Sequence, residues 1–533
     1  MGTKVHNNYE DLITFTRASE GYALRPVSYG DELVTNGTFD SDSGWTKGTG
    51  WSISGGVATS SGTTGVSIRQ DGVFTLNKVY EITGDATVTA GELRVWDSTG
   101  GQPTLATATG SFRLIFVPTV NTTLYLLGQS NFTGTVDNVS VKEVTFDESG
   151  GTLTLFEHPD NVPRVEYDGS RNRLGLLVEA QRTNLFTDSL MATSAWADSR
   201  GNLLANRAIS PERLQNATEF REDTSTGRHY FNESITGLTS GTDYTVSLYV
   251  KRGATAGAYR AVIITPNNLT FLQDMVVFDF DTESITQTGT DINSTKVDNV
   301  GNGWFRISVS FTSASTSGGV AVTLSRFSVP NTSSPSHTGN GVESIYVYGA
   351  QFEQGNFGSS FIKTSGSTAS RSQEIVNIDL SSFGYNHKKG SLLVDALSEY
   401  NSDGSDFRSL FHIGSTVSVV DRINVYISEG GPAMAAEVRA NNVLSAGLSL
   451  ETLTENPVSK KVAFAFAEDD FAASDDGDTA VTDTSGTLVP LNRRNRLSLG
   501  SSTSQGNSGR FHIKSFKYYP RRLTNAQLKD LSS

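Results

Sequence analysis

The stretch Arg173-Leu174-Gly175-Leu176-Leu177-Val178-Glu179-Ala180-Gln181-Arg182-Thr183-Asn184-Leu185 holds an apolar run broken only by Gly175, and a polar patch from Glu179 to Asn184 follows it at once. Such a pattern reads as a buried strand that leaves a core and enters a hydrogen-bonded connection. By itself it is an ordinary core strand. The rest of the chain extends the theme, because Ser, Thr, Gly, Val and Asn alternate with single apolar residues over long stretches. With 52 glycines among 533 residues, that composition predicts many short strands joined by turns. The fold class expected is all-β, built from tandem antiparallel β-sandwiches. The best amphipathic helix is the last, Thr524 to Leu531, with Thr524 as N-cap and Leu523, Ala526, Leu528 and Leu531 as apolar positions.

Upstream lies Ile13-Thr14-Phe15-Thr16-Arg17-Ala18-Ser19. Together the two stretches resemble a linker of tailed-bacteriophage virion proteins, in which an "FTRAS" segment leads to "GLLVE…RTNL" and then to a ligand-binding-like β-sandwich. Later phrases strengthen the resemblance: Thr245-Val246-Ser247-Leu248-Tyr249-Val250-Lys251, Gly303-Trp304-Phe305-Arg306-Ile307-Ser308, Tyr348-Gly349-Ala350-Gln351-Phe352-Glu353-Gln354-Gly355 and Phe361-Ile362-Lys363-Thr364.

These phrases divide the chain. Residues 1–30 form a leader, with a strand from Tyr9 to Phe15, a break at Arg25-Pro26 and a turn at Ser28-Tyr29-Gly30. Residues 31–146 open with Asn36-Gly37-Thr38-Phe39 and close with Asp137-Asn138-Val139-Ser140-Val141, which resembles the jelly-roll carbohydrate-binding modules of "NGxF…W…DNVSV" type. The linker resumes over 147–184, so the first jelly roll reads as an insertion into it; insertions are tolerated where the flanking ends lie together. Phe15-Thr16-Arg17 is then expected beside Leu176 to Val178. Residues 185–363 form a second jelly roll. Residues 364–372 are a polar linker, and 373–533 resemble a concanavalin A-like, laminin G-type sandwich through Lys461-Val462-Ala463-Phe464-Ala465-Phe466 and Tyr518-Tyr519-Pro520-Arg521-Arg522-Leu523-Thr524.

The net charge of −14 disfavours nucleic acid and anionic membranes as partners. No apolar run reaches the roughly 18 residues of a membrane helix, and the N-terminal residues hold no apolar signal-peptide stretch. The absence of cysteine excludes disulfides, thiolate metal sites and thiol catalysis. These features fit assembly in bacterial cytoplasm.

Catalytic signatures are scarce, with no GxSxG, HExxH or P-loop. Asp279 and Asp281 lie two apart on an expected strand and so share a face, as glycosidase carboxylates can; strand alternation explains the pair without chemistry. Asp475-Asp476-Gly477-Asp478 reads as a hairpin turn and not a calcium loop. The carbohydrate-binding resemblance implies a structural calcium where the first and last strands meet, with Asn36, Asp40 and Asp137 as ligands. The same residues read equally as a turn and a backbone cap. Sugar binding by jelly rolls uses exposed aromatic rings. Trp96, ahead of Ser98-Thr99-Gly100-Gly101, is the first candidate platform, followed by Trp45 and Trp51, which core burial would also explain.

The resemblance implies a virion fibre or spike that binds host cell-surface polysaccharide non-covalently and multivalently. It also implies contacts with other virion proteins and a homo-oligomer, usually a trimer. Two alternatives are an inert capsid-decoration or tail-connector part and a glycan-degrading enzyme.

Overall fold

The computed structural model describes residues 13–97, 102–253, 260–270, 274–327, 332–399, 408–415, 420–428, 433–453, 457–501 and 509–533. Strands dominate; among the described residues the strand pairs are antiparallel and the only α-helix is Asn525–Ser532. The chain divides into two compact units. One is Pro26–Leu153; the other joins Met1–Arg25 to Thr154–Ser533. The smaller unit thus interrupts the larger one in sequence.

Two long strands, Tyr80–Val95 and Leu124–Thr145, form the backbone of the smaller unit. Each merges segments that alternation divides into separate strands. The fusion is possible because the pairing shifts register between Gln129 and Thr133, where Ser130 and Asn131 take left-handed φ angles of 55° and 61°. Gly91 faces this bulge at φ 71°, and a Cβ there would sit 2.6 Å from the Gln129 carbonyl. On its other edge Leu124–Thr145 pairs first with Val66–Gln70 and then with Val57–Thr63. The inward residues, among them Ile68, Tyr80, Ile82, Leu124, Leu126 and Phe132, make one apolar core. The expected break and turn at residues 25–30 are absent. Those residues lie within the strand Gly21–Glu32, whose Ser28 and Tyr29 pair with Thr145 and Val144.

In the larger unit, residues 197–354 form a sandwich of two six-stranded sheets around a core that includes Phe186, Phe231, Val246, Phe278, Ile307 and Phe352. Trp304 and Trp196 are buried here. A second sandwich has two seven-stranded sheets. The strand Lys389–Glu399 sits centrally between Val458–Ala467 and Arg510–Tyr519. Alternation along Val462-Ala463-Phe464-Ala465-Phe466 sends Val462, Phe464 and Phe466 to the core, while Ala463 and Ala465 face the other way. The C-terminal helix lies on that alanine face through Leu523 and Leu528. Small side chains let it approach the sheet. Thr524 caps it in a reciprocal capping box with Gln527. Ala526, expected on its apolar face, is exposed.

The expected boundary at residue 373 misses part of this last sandwich. Thr14–Thr16 is the edge strand of one sheet, paired with Ile375–Asp379. Arg164–Tyr167 and Arg173–Glu179 belong to the other sheet, the latter paired with Arg510–Tyr519. Phe15, Leu176 and Val178 therefore share one core despite the sequence between them.

Just beyond these strands lies a buried ion network. Arg17 Nη1 is 2.8 Å from Glu374 Oε1, with both side chains fully buried. Arg164 reaches Glu374 at 2.7 Å and Glu179 at 2.8 Å. Arg371 and Arg510 lie 3.2 Å from Glu179. Arg510 extends the network to Glu166 at 2.8 Å and Glu399 at 2.7 Å, and Lys296 of the neighbouring sandwich also pairs with Glu399. The Glu179 and Glu374 backbones close the arrangement, the Glu374 N–H donating to the Glu179 carbonyl at 3.0 Å. Burial opposes charge on Glu166, Glu179 and Glu399, but the neighbouring cations outweigh it. Glu166 and Glu399 are held at about 2, and Glu179 well below the usual range.

Two outcomes follow from this network. Glu374→Gln leaves Arg17 and Arg164 short of a buried counter-charge, a loss of about 3–5 kcal/mol. Calorimetry should record it as a lower transition for the larger unit, with that of the smaller unit unmoved. The second concerns acid. A free glutamate titrates near 4.5, and the folded carboxyls bind protons less tightly than the unfolded ones. Their contribution is therefore full above about 4.5 and is lost as pH falls through about 2. The larger unit's melting temperature should drop across that window, and Glu399→Gln should flatten the slope; an unchanged slope would contradict the assignment.

Candidate functional site

Trp96 follows the end of Tyr80–Val95 and is half-buried, outside the core of the smaller unit. Its ring meets Tyr125 edge-to-face, with centroids 4.8 Å apart and planes at 88°. Tyr125 stands between Leu124 and Leu126, which are fully buried, so the pleat turns its own ring outward. Arg69, directly opposite Tyr125 in the pairing, lays its guanidinium 5.8 Å from that ring. Asp71 borders the group, 3.7 Å from Arg69 and accepting a hydrogen bond from the Thr123 hydroxyl at 3.1 Å.

Asp97 holds the backbone beside Trp96. Its buried carboxylate accepts the N–H groups of Thr119, Val120 and Asn121 at 2.8–3.1 Å and the Thr119 hydroxyl at 2.7 Å. Burial works against the charge on Asp97, yet these bonds keep its carboxyl below the ordinary range. The loop so anchored presents Val120, 60% exposed. The result is a pair of half-buried rings with a cationic and a carboxylate rim, beside a loop fixed by one buried acid. An aromatic face for C–H stacking and polar groups for hydroxyls are therefore close together. Ser98-Thr99-Gly100-Gly101 lies outside the described residues. Tyr125, Arg69 and Asp97 were not singled out from sequence, although the alternation Leu124-Tyr125-Leu126 marks Tyr125 as outward-facing.

Trp45 and Trp51 require correction as binding platforms, because the fold places both in the core at 7% and 6% exposure. Trp45 packs against Phe39 and donates its indole N–H to the Asn36 carbonyl at 3.0 Å. Trp51 packs against Phe132 and donates to the Val66 carbonyl at 3.2 Å. Burying a large ring while its one polar atom finds a carbonyl is the cheaper arrangement.

The first and last segments of the smaller unit meet where the resemblance implied, the Val139 N–H donating to the Gly37 carbonyl at 2.9 Å. Around that point Asn36 donates its amide to the Ser41 and Ser43 carbonyls, Asp40 accepts from the Thr38 hydroxyl, and Asp137 accepts from the Asn138 N–H. Among the described residues, the one group of three His, Asp or Glu side chains spaced for a metal lies elsewhere, at Glu222, His229 and His337.

Asp279 and Asp281 do not share a strand face. The strand Val276–Asp279 ends at the first of them. Asp279 is buried and caps the Asp281 N–H at 2.7 Å, while Asp281 is exposed and pairs with Arg252. Asp475 to Asp478 form the expected turn, with Asp476 and Gly477 at φ 44° and 80° and the Asp478 N–H donating to the Asp475 carbonyl.

The chain matches no protein-family model, and no curated protein matches it in sequence. Among solved structures it is similar to domain 4 of an extracellular arabinanase from Geobacillus stearothermophilus, solved with arabinotriose, at 14% identity and TM-score 0.23 over 33% of this chain and 83% of that one. A tandem of two CBM22 domains from Paenibacillus barcinonensis aligns at 13% identity and TM-score 0.20 over 61% of this chain and 97% of that one. Trypanosoma rangeli sialidase, solved with the inhibitor DANA, aligns at 9% identity and TM-score 0.23 over 96% and 94%. Likeness at this level does not bear on what the chain binds.

Placement in the core gives Trp51 a testable role. Trp51→Ala should cost about 3–5 kcal/mol, read as a lower melting transition for the smaller unit. An unchanged transition would mean that the ring is not a packing element.

Proposed function

We propose that this chain is a virion appendage protein of a tailed bacteriophage, a fibre or spike. It binds neutral host-surface polysaccharide without catalysis, through the Trp96–Tyr125 patch of the smaller unit. The observation that carries the binding reading is a tryptophan left out of a well-packed aromatic core, set edge-to-face on a second ring and rimmed by Arg69 and Asp71. The virion reading is supported by the phage-like phrases. Arg17 of the first linker half and Glu179 of the second both contact Glu374, so the segments that recur together in those proteins act here as one physical unit. The net charge of −14 suits a neutral glycan better than an anionic one. The engagement of Asp279 with backbone and of Asp281 with Arg252 favours a binder over a hydrolase.

Shallow sites of this kind are weak singly. Many copies on a particle raise avidity by factors of about a hundred or more, and trimeric assembly with other virion proteins fits that mode. Removing the central ring should cost about 2 kcal/mol, some thirtyfold in affinity per site. Trp96→Ala should therefore weaken binding to an array of neutral bacterial polysaccharides while barely moving the melting temperature. A large fall in melting temperature would make Trp96 a core residue. No binding by the native chain to any polysaccharide would favour an inert decoration or connector. New reducing ends after prolonged incubation would favour an enzyme.

A further inference from the structure

The strand Ala217–Glu222 ends at a short two-stranded ribbon, Thr226–Gly227 with His337–Thr338. Around this ribbon Glu222, His229 and His337 each offer one potential ligand atom, all within 4.8 Å of one another. The Glu222 and His229 side chains are fully buried, and His337 is 9% exposed, so the group opens to solvent on the His337 side.

The hydrogen bonds around the group are those of a ligand set already held in place. His229 Nδ1 lies 2.5 Å from the Arg200 carbonyl. A carbonyl only accepts, so Nδ1 carries a proton and Nε2 is the nitrogen left to meet a cation. That Nε2 faces another acceptor, the His337 carbonyl, at 3.3 Å. Glu222 is anchored through Oε1, which accepts from the Asn340 N–H at 2.7 Å and from Arg326 at 3.1 Å; Oε2 meets His337 Nε2 at 2.9 Å. Ligating histidines and carboxylates are commonly oriented by such outer bonds. The imidazole rings lie 4.4 Å apart. Gly339 allows the ribbon to close on them, since a Cβ there would stand 3.0 Å from His229 Cε1 and 1.9 Å from the Asp223 carbonyl. Asp223 lies 3.9 Å from His229, and Glu343 lies 3.5 Å from Arg326.

We infer that Glu222, His229 and His337 form a binding site for a borderline-soft divalent cation of the zinc class, which pins the ribbon to the end of the sandwich strand. Two imidazoles with one carboxylate select zinc over calcium, which takes six to eight oxygens. Zinc–ligand bonds of about 2.0–2.1 Å place tetrahedral ligand atoms roughly 3.3 Å apart. The group therefore draws together on binding. A fourth, open position falls to water.

The test uses the full chain after chelator treatment and dialysis. Zn2+ should bind with one equivalent retained only when His337 is present and should raise the melting temperature; Ca2+ at the same concentration should not. Co2+ should give a visible absorption band of nitrogen–oxygen coordination that Zn2+ abolishes. His337→Ala should weaken Zn2+ affinity by about tenfold or more and remove the Co2+ band, with the metal-free melting temperature reporting that the fold survives. Should that variant fail to fold, His337→Gln keeps a polar group at the ribbon edge and is read in the same way. No Zn2+ binding by the native chain, equal Zn2+ affinity in the folded His337 variant, or stabilisation by Ca2+ equal to that by Zn2+ would each overturn the assignment.

Discussion

The larger unit depends on charge buried where apolar packing would be expected. Glu179 and Glu374 are linked by backbone hydrogen bonds and surrounded by Arg17, Arg164, Arg371 and Arg510. Desolvating so many ions is expensive, and their attraction offsets the cost only while every partner is present. The network therefore adds selectivity more than surplus stability. A strand edge arriving in a slipped register would strand a guanidinium in a dry interior. Specificity of that kind is useful where three separated stretches must find each other.

Much of this architecture is legible in the sequence, and the reason differs from place to place. Period-two alternation in Lys461 to Phe466 marks a strand with two unlike faces, although the helix that covers the alanine face is seen only in the structure. Thr524 and Gln527 signal the start of that helix. The proximity of Phe15 to Leu176 and Val178 is expected only from the resemblance of their two stretches to one linker. What remained hidden is long-range. Nothing near Phe15 indicates that its strand will join Ile375–Asp379, some 360 residues away. Charge misleads too, because arginine and glutamate are normally surface residues and only their geometry reveals an interior role.

The candidate binding patch shows the same boundary between local and global information. All five tryptophans can be placed on or near strands from sequence, but burial separates them. Trp45, Trp51, Trp196 and Trp304 each find a carbonyl for the indole N–H inside a core. Trp96 sits where the strand leaves the sheet and packs on a ring that itself faces out. The side chains that frame it come from separate strands and a loop, and only pairing brings them together.

The last sandwich is assembled from residues 14–16, 164–179 and 375–519. On the ribosome its edge strands emerge long before the strands that receive them. Thr14–Thr16 must wait for Ile375–Asp379, and Arg173–Glu179 for Arg510–Tyr519. Through that interval Phe15, Leu176 and Val178 have no core to enter, and Arg17 and Glu179 stay hydrated. The smaller unit, continuous from Pro26 to Leu153, faces no such delay and can fold while the rest is being made. Synthesis thus imposes a sequence of events on the chain: an early, self-contained domain, then a long open phase, then closure as the final strands appear. Non-local closure of this kind is slow and leaves strand edges exposed. The net charge of −14 acts against association of such intermediates with their own copies.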